Sequence, residues 1–221
     1  MKSIFMFSIL FLIASCGKNS KPNEEIEMVS QFSTLREIDV KIHKSSGKFP
    51  WEKEYSEAII EEINQNSKLS SLLETEINQG DLKRLDCVNF NELSNYEKSV
   101  FYTVYIAAIA EAESDFKTGS ETMNYKDMTN NVGLLQIDTK SALRHAKNEY
   151  GKLTEKDLKN PIVNLKVGLF ILKNQITSKV AKERLLPVKS YYWQVLTQSK
   201  RFFKNFKLNY SNLSFCKKDE V

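Results

Sequence analysis

Glycine and proline are scarce in this chain, which contains 7 glycines and 4 prolines among 221 residues. Turns and irregular loops depend on these two residue types, so their scarcity argues against a loop-rich or all-β fold. A chain of this length can bury a substantial core, and its 41% hydrophobic content suits an ordered protein. Together with the helical patterns described below, this composition favours a mainly α-helical fold.

Metal ligands are also few. The two histidines, His43 and His145, are far apart, and no two cysteines have the short spacing of a metal site. We expect no metal and no cofactor. The net charge of +4 would attract nucleic acid, anionic lipid or an acidic cell-wall polymer, unless the basic surface has no specific partner. Because no aromatic–basic repeat of a known module is present, we expect no nucleic-acid partner.

The first sixteen residues have the pattern of an export signal. An apolar run from Ile4 to Ala14 follows one lysine, and it is too short to cross the ~30 Å apolar core of a bilayer comfortably. Ile13-Ala14-Ser15-Cys16 resembles a bacterial lipobox, which implies a signal peptide over residues 1–15 and a diacylglycerol on Cys16. The alternative is an ordinary signal peptide with a chance cysteine.

Gly17 follows the predicted lipidated cysteine, instead of the aspartate that marks retention at the inner membrane. We therefore expect an anchor in the outer membrane of the bacterial cell envelope, facing the periplasm. Two or more acyl chains give a stable anchor, where one chain does not.

The other two cysteines, Cys87 and Cys216, form an even pair in an oxidising compartment if Cys16 carries lipid. We predict a disulfide bond between them. The alternative is two buried free thiols.

The rest of the chain divides into three predicted parts. Residues 16–50 are polar and mixed in charge and are predicted to form a lipidated tether, and residues 51–86 to form a small N-terminal helical extension. Residues 87–217 are predicted to form a helical domain. Within it, Ser94 and Glu97 have the spacing of a capping box, and Asn160-Pro161 has the pattern of a helix start.

The stretch "AEAESDF", residues 110–116, places two glutamates at the end of an apolar helical stretch. An ideal helix turns about 100° per residue, which puts Glu113 on the face of Tyr102, Ile106 and Ile109, and Glu111 on a face of smaller residues. We therefore predict that Glu113 projects inward. Burial and the nearby helix C-terminus would both favour its protonated form, as a general acid requires. The alternative is a glutamate that pairs with a buried arginine or lysine.

Three motifs in order resemble the lysozyme-like domain of soluble lytic transglycosylases: Glu113-Ser114-Asp115-Phe116, Gly133-Leu134-Leu135-Gln136-Ile137, and Asn164 with Gly168. The resemblance covers roughly residues 88–216. It implies a lysozyme-like fold that cleaves peptidoglycan glycan strands between N-acetylmuramic acid and N-acetylglucosamine.

The resemblance also implies roles for individual residues. Glu113 matches the catalytic acid, Ser114 and Gln136 match residues that line the sugar cleft, and Gly168 would let a neighbouring helix approach behind the site. We expect a monomer whose partner is the glycan strand. A short hairpin within residues 117–132 would form one wall of an open groove, with Glu113 at its floor.

Three departures from the family leave alternatives open. The insertion after Phe116 carries Glu121 and Asp127, and a second carboxylate across the sugar would favour hydrolysis over transglycosylation; the alternative is a solvated loop with incidental acids. A family Tyr-Asn appears as Tyr192-Trp193, in which Tyr192 can still form a hydrogen bond near the acid. A family Tyr-Leu appears as Ile171-Leu172. The competing function is a non-catalytic lipoprotein that binds peptidoglycan.

Overall fold

A computed structural model describes residues 40–45, 47–125, 128–189, 191–198 and 200–216 of the chain. The predicted signal peptide, Cys16 and residues 16–39 of the predicted tether lie outside these ranges. The described residues belong to one compact unit. The helices are α1 (Lys53–Gln65), α2 (Ser70–Glu74), α3 (Gln79–Arg84), α4 (Asn95–Ser114), α5 (Thr139–Tyr150), α6 (Glu155–Leu158), α7 (Pro161–Thr177), α8 (Val195–Gln198) and α9 (Lys200–Leu208), with 3-10 turns at Ser67–Leu69, Phe90–Glu92 and Tyr210–Cys216.

Helix α4 lies at the centre of the core. Its start is fixed by the predicted capping box, in which Ser94 and Glu97 each satisfy the other's backbone N–H. Every residue from 100 to 110 exposes 1% or less of its surface. The helix is buried on all sides because α1, α2, α8, α9 and the last 3-10 turn all contact it.

Helix α7 is the second buried helix, and it contacts α1, α2, α5 and α6. It begins as predicted, with Asn160 accepting hydrogen bonds from the N–H groups of Ile162 and Val163, and with Pro161 in its first turn. The mainly helical fold predicted from the sequence is confirmed.

A two-stranded antiparallel sheet follows α4. Strand β1 (Glu121–Asn124) pairs with β2 (Thr129–Val132), with Glu121 opposite Val132 and Asn124 opposite Thr129. This is the hairpin predicted within residues 117–132.

The region predicted as a helical extension, residues 51–86, shares the core of the predicted catalytic domain. Ile59, Leu72 and Leu82 are fully buried in the same apolar cluster as the side chains of α4. Val40 is also buried, and the backbone of His43 exchanges two hydrogen bonds with the side-chain amide of Asn209, at 2.6 and 2.9 Å. The end of the predicted tether is therefore packed against the domain, because its backbone pairs with buried polar side chains that the sequence pattern does not reveal.

Cys87 and Cys216 form the predicted disulfide bond, with their Cα atoms 4.5 Å apart. Closing a loop of this length stabilises the fold by about 5 kcal/mol in the chain-entropy model. Within the described residues, no helix is both long and apolar enough to cross a membrane.

Candidate active site

A cavity of about 470 Å³ opens where the end of α4 faces the hairpin. Its wall is built from α4, both strands, the turn between β2 and α5, the first turn of α5, and the segment before α8. The lining residues are Glu113, Met123, Asn124, Asn131, Gln136, Asp138, Ser141, Tyr192, Trp193 and Gln194. This set is mostly polar, with amides, a hydroxyl and aromatic rings, as sugar recognition requires.

Glu113 is half-buried at the wall of this cavity, one residue before the end of α4. Burial raises the pKa of its carboxyl group from 4.5 to about 7. The group can therefore hold a proton near neutral pH and can also release it, which suits a general acid that later acts as a base.

The prediction that Glu113, rather than Glu111, projects into the core is wrong. Glu111 is fully buried, whereas Glu113 is only partly so. The Glu111 carboxylate accepts hydrogen bonds from the backbone N–H of Ser45 at 2.5 Å and from its hydroxyl at 2.7 Å. The helical-wheel prediction failed because residues 100–110 of α4 have no solvent-exposed face, and near the end of the helix Ser45 covers the side that carries Glu111.

The chain turns sharply after Glu113 and Ser114. Asp115 and Phe116 both adopt left-handed backbone conformations, with φ of 55° and 63°. Such conformations are costly for residues other than glycine and persist where surrounding contacts impose them. Arg201 forms an ion pair with Asp115, and the Phe116 ring lies edge-on to Trp51 with ring centroids 5.2 Å apart. These contacts hold the end of α4 in place.

The turn at Gly133 to Gln136 forms the opposite wall. Gly133 has φ of +79°, and a Cβ atom there would lie 2.5 Å from the amide nitrogen of Asn164. Asn164 is buried and uses its whole amide on this turn: it accepts from Leu135 N at 2.8 Å and donates to the carbonyls of Val132 and Leu158. The motif that contains Asn164 therefore holds the motif that begins at Gly133 in place, and this fixes Gln136 on the cavity wall.

Gly168 permits a close approach, but the approaching group differs from the prediction. A Cβ atom at Gly168 would lie 2.2 Å from the Leu135 side chain, so the close neighbour is the turn at 133–136 and not another helix. Trp193 supports the same turn, because its indole N–H donates to the Leu135 carbonyl at 2.9 Å. Trp193 thus serves as an anchor where the family sequence has asparagine.

Tyr192 lines the same cavity as Glu113 and forms hydrogen bonds with the turn that carries Gln136. Its hydroxyl donates to the Gln136 carbonyl at 3.3 Å, accepts from the Asp138 N–H at 3.3 Å and lies 3.4 Å from the Asp138 carboxylate. Burial, and then the charge of Asp138, raise the pKa of this phenol. The tyrosine therefore remains a neutral hydrogen-bonding group.

Of the residues predicted from sequence, Glu113, Gln136 and Tyr192 meet at the cavity, and Ser114 and Glu121 do not. The Ser114 hydroxyl donates to the Ala110 carbonyl of its own helix at 2.9 Å. Glu121 is exposed and forms an ion pair with Lys159 at 2.9 Å, so it is not a second carboxylate of the site. Asp127 lies outside the described residues.

Asp138 is a further carboxylate of the cavity wall, besides Glu113, and the sequence analysis did not select it as a site residue. It caps α5, accepting hydrogen bonds from the backbone N–H of Ser141 at 2.9 Å and from the Ser141 hydroxyl at 2.7 Å. Its position two residues after Gln136 is the feature of the sequence that could have identified it as a site residue. Within the described ranges, no group of three potential ligands could hold a metal ion.

The comparison with known protein families finds a match over the part of the chain that contains this cavity. The family model described as "Transglycosylase SLT domain" matches residues 93–205, just over half of the chain. No curated protein gives a significant match.

Three solved structures of a protein named Bd0314 DslA are similar in fold: its wild-type form 2 at 24% identity, and two glutamate-to-glutamine mutants at 23%. Each has a TM-score of 0.60 and aligns over 75% of this chain and 92% of the other. Because the family model covers just over half of its residues, the chain belongs to the transglycosylase SLT domain family.

Proposed function

We propose that this protein cleaves the β-1,4 bond between N-acetylmuramic acid and N-acetylglucosamine, with Glu113 as the general acid. The family supports peptidoglycan as the substrate class. The observation that carries the assignment is the placement of Glu113 at the wall of a polar cavity, with its pKa raised to about 7 by burial.

The chemistry requires one proton to move twice. Protonated Glu113 donates to the glycosidic oxygen, the bond to the muramyl C1 breaks, and N-acetylglucosamine leaves with the proton. The resulting carboxylate then accepts the proton of the muramyl 6-hydroxyl, whose oxygen bonds to C1 and gives a 1,6-anhydro product. No water is consumed, and Glu113 returns to its protonated state.

Hydrolysis is the second candidate outcome, and it needs a group that activates water on the other face of the sugar. Glu121 is unsuitable because it is exposed and paired with Lys159. Asp138 lines the cavity, but Ser141 donates to both of its carboxylate oxygens. An aspartate committed to capping a helix is a poor water base, so we favour the transglycosylase outcome.

A zymogram on peptidoglycan tests the assignment of Glu113. The wild type should give a clearing band and Glu113→Gln should not, while Glu121→Gln, which removes a carboxylate away from the cavity, should match the wild type. Clearing by Glu113→Gln would refute the role of Glu113. The absence of clearing by the wild type would favour the non-catalytic peptidoglycan-binding lipoprotein.

Mass spectrometry of the released muropeptides separates the two outcomes. Transglycosylation leaves 1,6-anhydromuramyl ends, which are lighter by one water than the reducing ends left by hydrolysis. We expect anhydro ends; reducing ends alone would assign a lysozyme-type reaction.

The anchor at Cys16 and the outer-membrane location are part of the same proposal. They rest on the lipobox-like sequence and Gly17. Labelling with a palmitate analogue should mark the wild type and leave Cys16→Ser unlabelled, and fractionation should place the labelled protein in the outer membrane.

A further inference from the structure

Residues 40–45 form an N-terminal strap that runs along helix α9 in the opposite direction. The backbone of His43 exchanges two hydrogen bonds with the side chain of Asn209. The Ser45 hydroxyl lies 2.8 Å from the side-chain oxygen of Asn205. As the strap residues ascend in number their partners descend, so the two segments are antiparallel. The strap and α9 therefore form one continuous surface.

The exposed side of this surface is basic. Lys200, Lys204 and Lys207 follow one another at spacings of four and three residues, so they form one stripe along α9. Helix α3 adds Arg84, whose guanidinium lies 5.0 Å from the centre of the Phe203 ring. The exposed cations of this basic face come from the strap and the residues after it, from α3 and from α9, and they are Lys44, Lys48, Arg84, Lys200, Lys204 and Lys207.

Most of this charge is not neutralised by the protein. Lys207 forms an ion pair with Asp86 at 3.3 Å, and both side chains are more than half exposed. Lys44, Lys200 and Lys204 form no ion pair with any carboxylate of the described ranges. Their charges therefore remain available to an anionic partner.

Exposed apolar side chains lie among these lysines. Leu208 is the last residue of α9, one turn after Lys204, and it is 43% exposed. Phe49 directly follows Lys48 and is 42% exposed. A soluble polyanion needs only the charges, whereas lysines mixed with exposed phenylalanine and leucine are typical of proteins that bind the surface of a bilayer. The composition of the face therefore favours a lipid surface.

The position of the strap in the chain favours the same partner. Residues 16–39 lie between the proposed lipid anchor at Cys16 and Val40, where the strap begins. The chain that comes from the anchor therefore joins the fold beside the basic face. The bilayer that would hold the anchor is an anionic surface within reach of this face.

We propose that the basic face, together with Phe49 and Leu208, binds the surface of a bilayer that contains anionic phospholipids. This inference goes beyond the proposed reaction and does not depend on it. The lipid phosphates attract the lysines, and the two apolar side chains enter the boundary between headgroups and acyl chains. A tether limits only the distance of a domain from the membrane, whereas this contact also fixes its orientation.

The test measures sedimentation with lipid vesicles. The protein is the chain from residue 16 onward with Cys16→Ser, which carries no lipid and contains every residue of the compact unit. It should bind vesicles of phosphatidylcholine mixed with phosphatidylglycerol, more weakly at high salt, and should not bind phosphatidylcholine alone. Each of Lys44→Gln, Lys200→Gln and Lys204→Gln should weaken binding about fivefold.

The matched controls are Lys147→Gln and Lys156→Gln, which remove exposed lysines from α5 and α6, two helices that pack on α7. Both should bind as the wild type does. Phe49→Ser combined with Leu208→Ser should weaken vesicle binding about tenfold and leave binding to inorganic polyphosphate unchanged.

Equal binding to both kinds of vesicle, or equal losses in the control variants, would overturn the inference. Unchanged vesicle binding after the two apolar substitutions would assign the face to a soluble polyanion and would overturn it as well. None of these results bears on the reaction assigned to Glu113, which the zymogram tests separately.

Discussion

Glu111 and Glu113 lie two residues apart on one helix and occupy opposite environments. Glu111 is sealed in the protein, where Ser45 donates two hydrogen bonds to its carboxylate. Glu113 faces a cavity, and burial raises its pKa to about 7. Burial alone therefore does not single out the carboxylate of the candidate site: the more buried one has hydrogen-bond partners, and the half-buried one faces the cavity.

The substitution Glu113→Gln is expected to have the largest effect of those that test the difference between the two glutamates. Removal of a general acid lowers the cleavage rate by about 10²- to 10⁴-fold. The free energy of unfolding should stay equal or rise at neutral pH, because glutamine has no charged form to desolvate. Initial rates on solubilised glycan strands and urea unfolding measure the two quantities. A variant with more than a tenth of the wild-type rate would contradict the role of Glu113.

Glu111→Ala should have the converse effect. The two donors of Ser45 lose their acceptor and a small cavity forms, so the free energy of unfolding should fall by about 3 kcal/mol. Activity per folded molecule should remain within several-fold of the wild type at low temperature. An unchanged urea midpoint would show that the buried carboxylate is not structural.

The pH dependence of stability separates the two glutamates without disturbing the fold around Glu111. The pKa of Glu113 is higher in the folded protein, about 7, than its ordinary value of 4.5. Its contribution is therefore fully favourable below pH 4.5 and is lost as the pH rises through 7. The stability of Glu113→Gln relative to the wild type should rise between these values and then level off; a constant difference would contradict the raised pKa.

Ser45→Ala tests the contact between Ser45 and Glu111 by changing the hydrogen-bond donor. It removes the hydroxyl but keeps the backbone N–H that donates to Glu111, so the loss should be about 1 kcal/mol. Ser67→Ala, at an exposed serine, is the control and should be close to neutral. Equal effects of the two substitutions would mean that the contact of Ser45 with Glu111 does not stabilise the fold.

Arg201→Gln should have the smallest effect. The ion pair with Asp115 is partly exposed, and such pairs contribute less than about 1 kcal/mol. The Phe116–Trp51 contact remains, so the cleavage rate should fall no more than a few-fold, and the difference in stability should shrink at high salt. A difference that is insensitive to salt would show that the guanidinium acts through packing and not through charge.

Local patterns were predictable from the sequence, and long-range pairs were not. The capping box at Ser94, the start of α7 at Asn160 and the family motifs depend on residues close in sequence, and the structure has them as expected. The partners of Glu111 and Leu135 lie 66 and 58 positions away, at Ser45 and Trp193. Only the folded chain brings such pairs together, so their polar contacts left no periodic signal.

The orientation of the two glutamates shows the same limit. A helical wheel assigns one inward face, but several helices and, at Glu111, Ser45 pack around α4, so it has no single inward face. The exposure of Glu121 likewise depends on how the hairpin packs and on the ion pair that Glu121 forms with Lys159. Cysteine counting succeeded for Cys87 and Cys216 because these two cysteines allow a single pairing once Cys16 is set aside.

The most direct test of the central claim is the titration of the Glu113 carboxyl group itself. Carbon-13 NMR of protein labelled at the glutamate side-chain carboxyls, assigned with Glu113→Gln, follows the protonation of this one residue. The account predicts a midpoint near pH 7, set by burial at the cavity wall. A midpoint near the ordinary glutamate value of 4.5 would show that Glu113 is ionised at neutral pH and would contradict its role as the general acid.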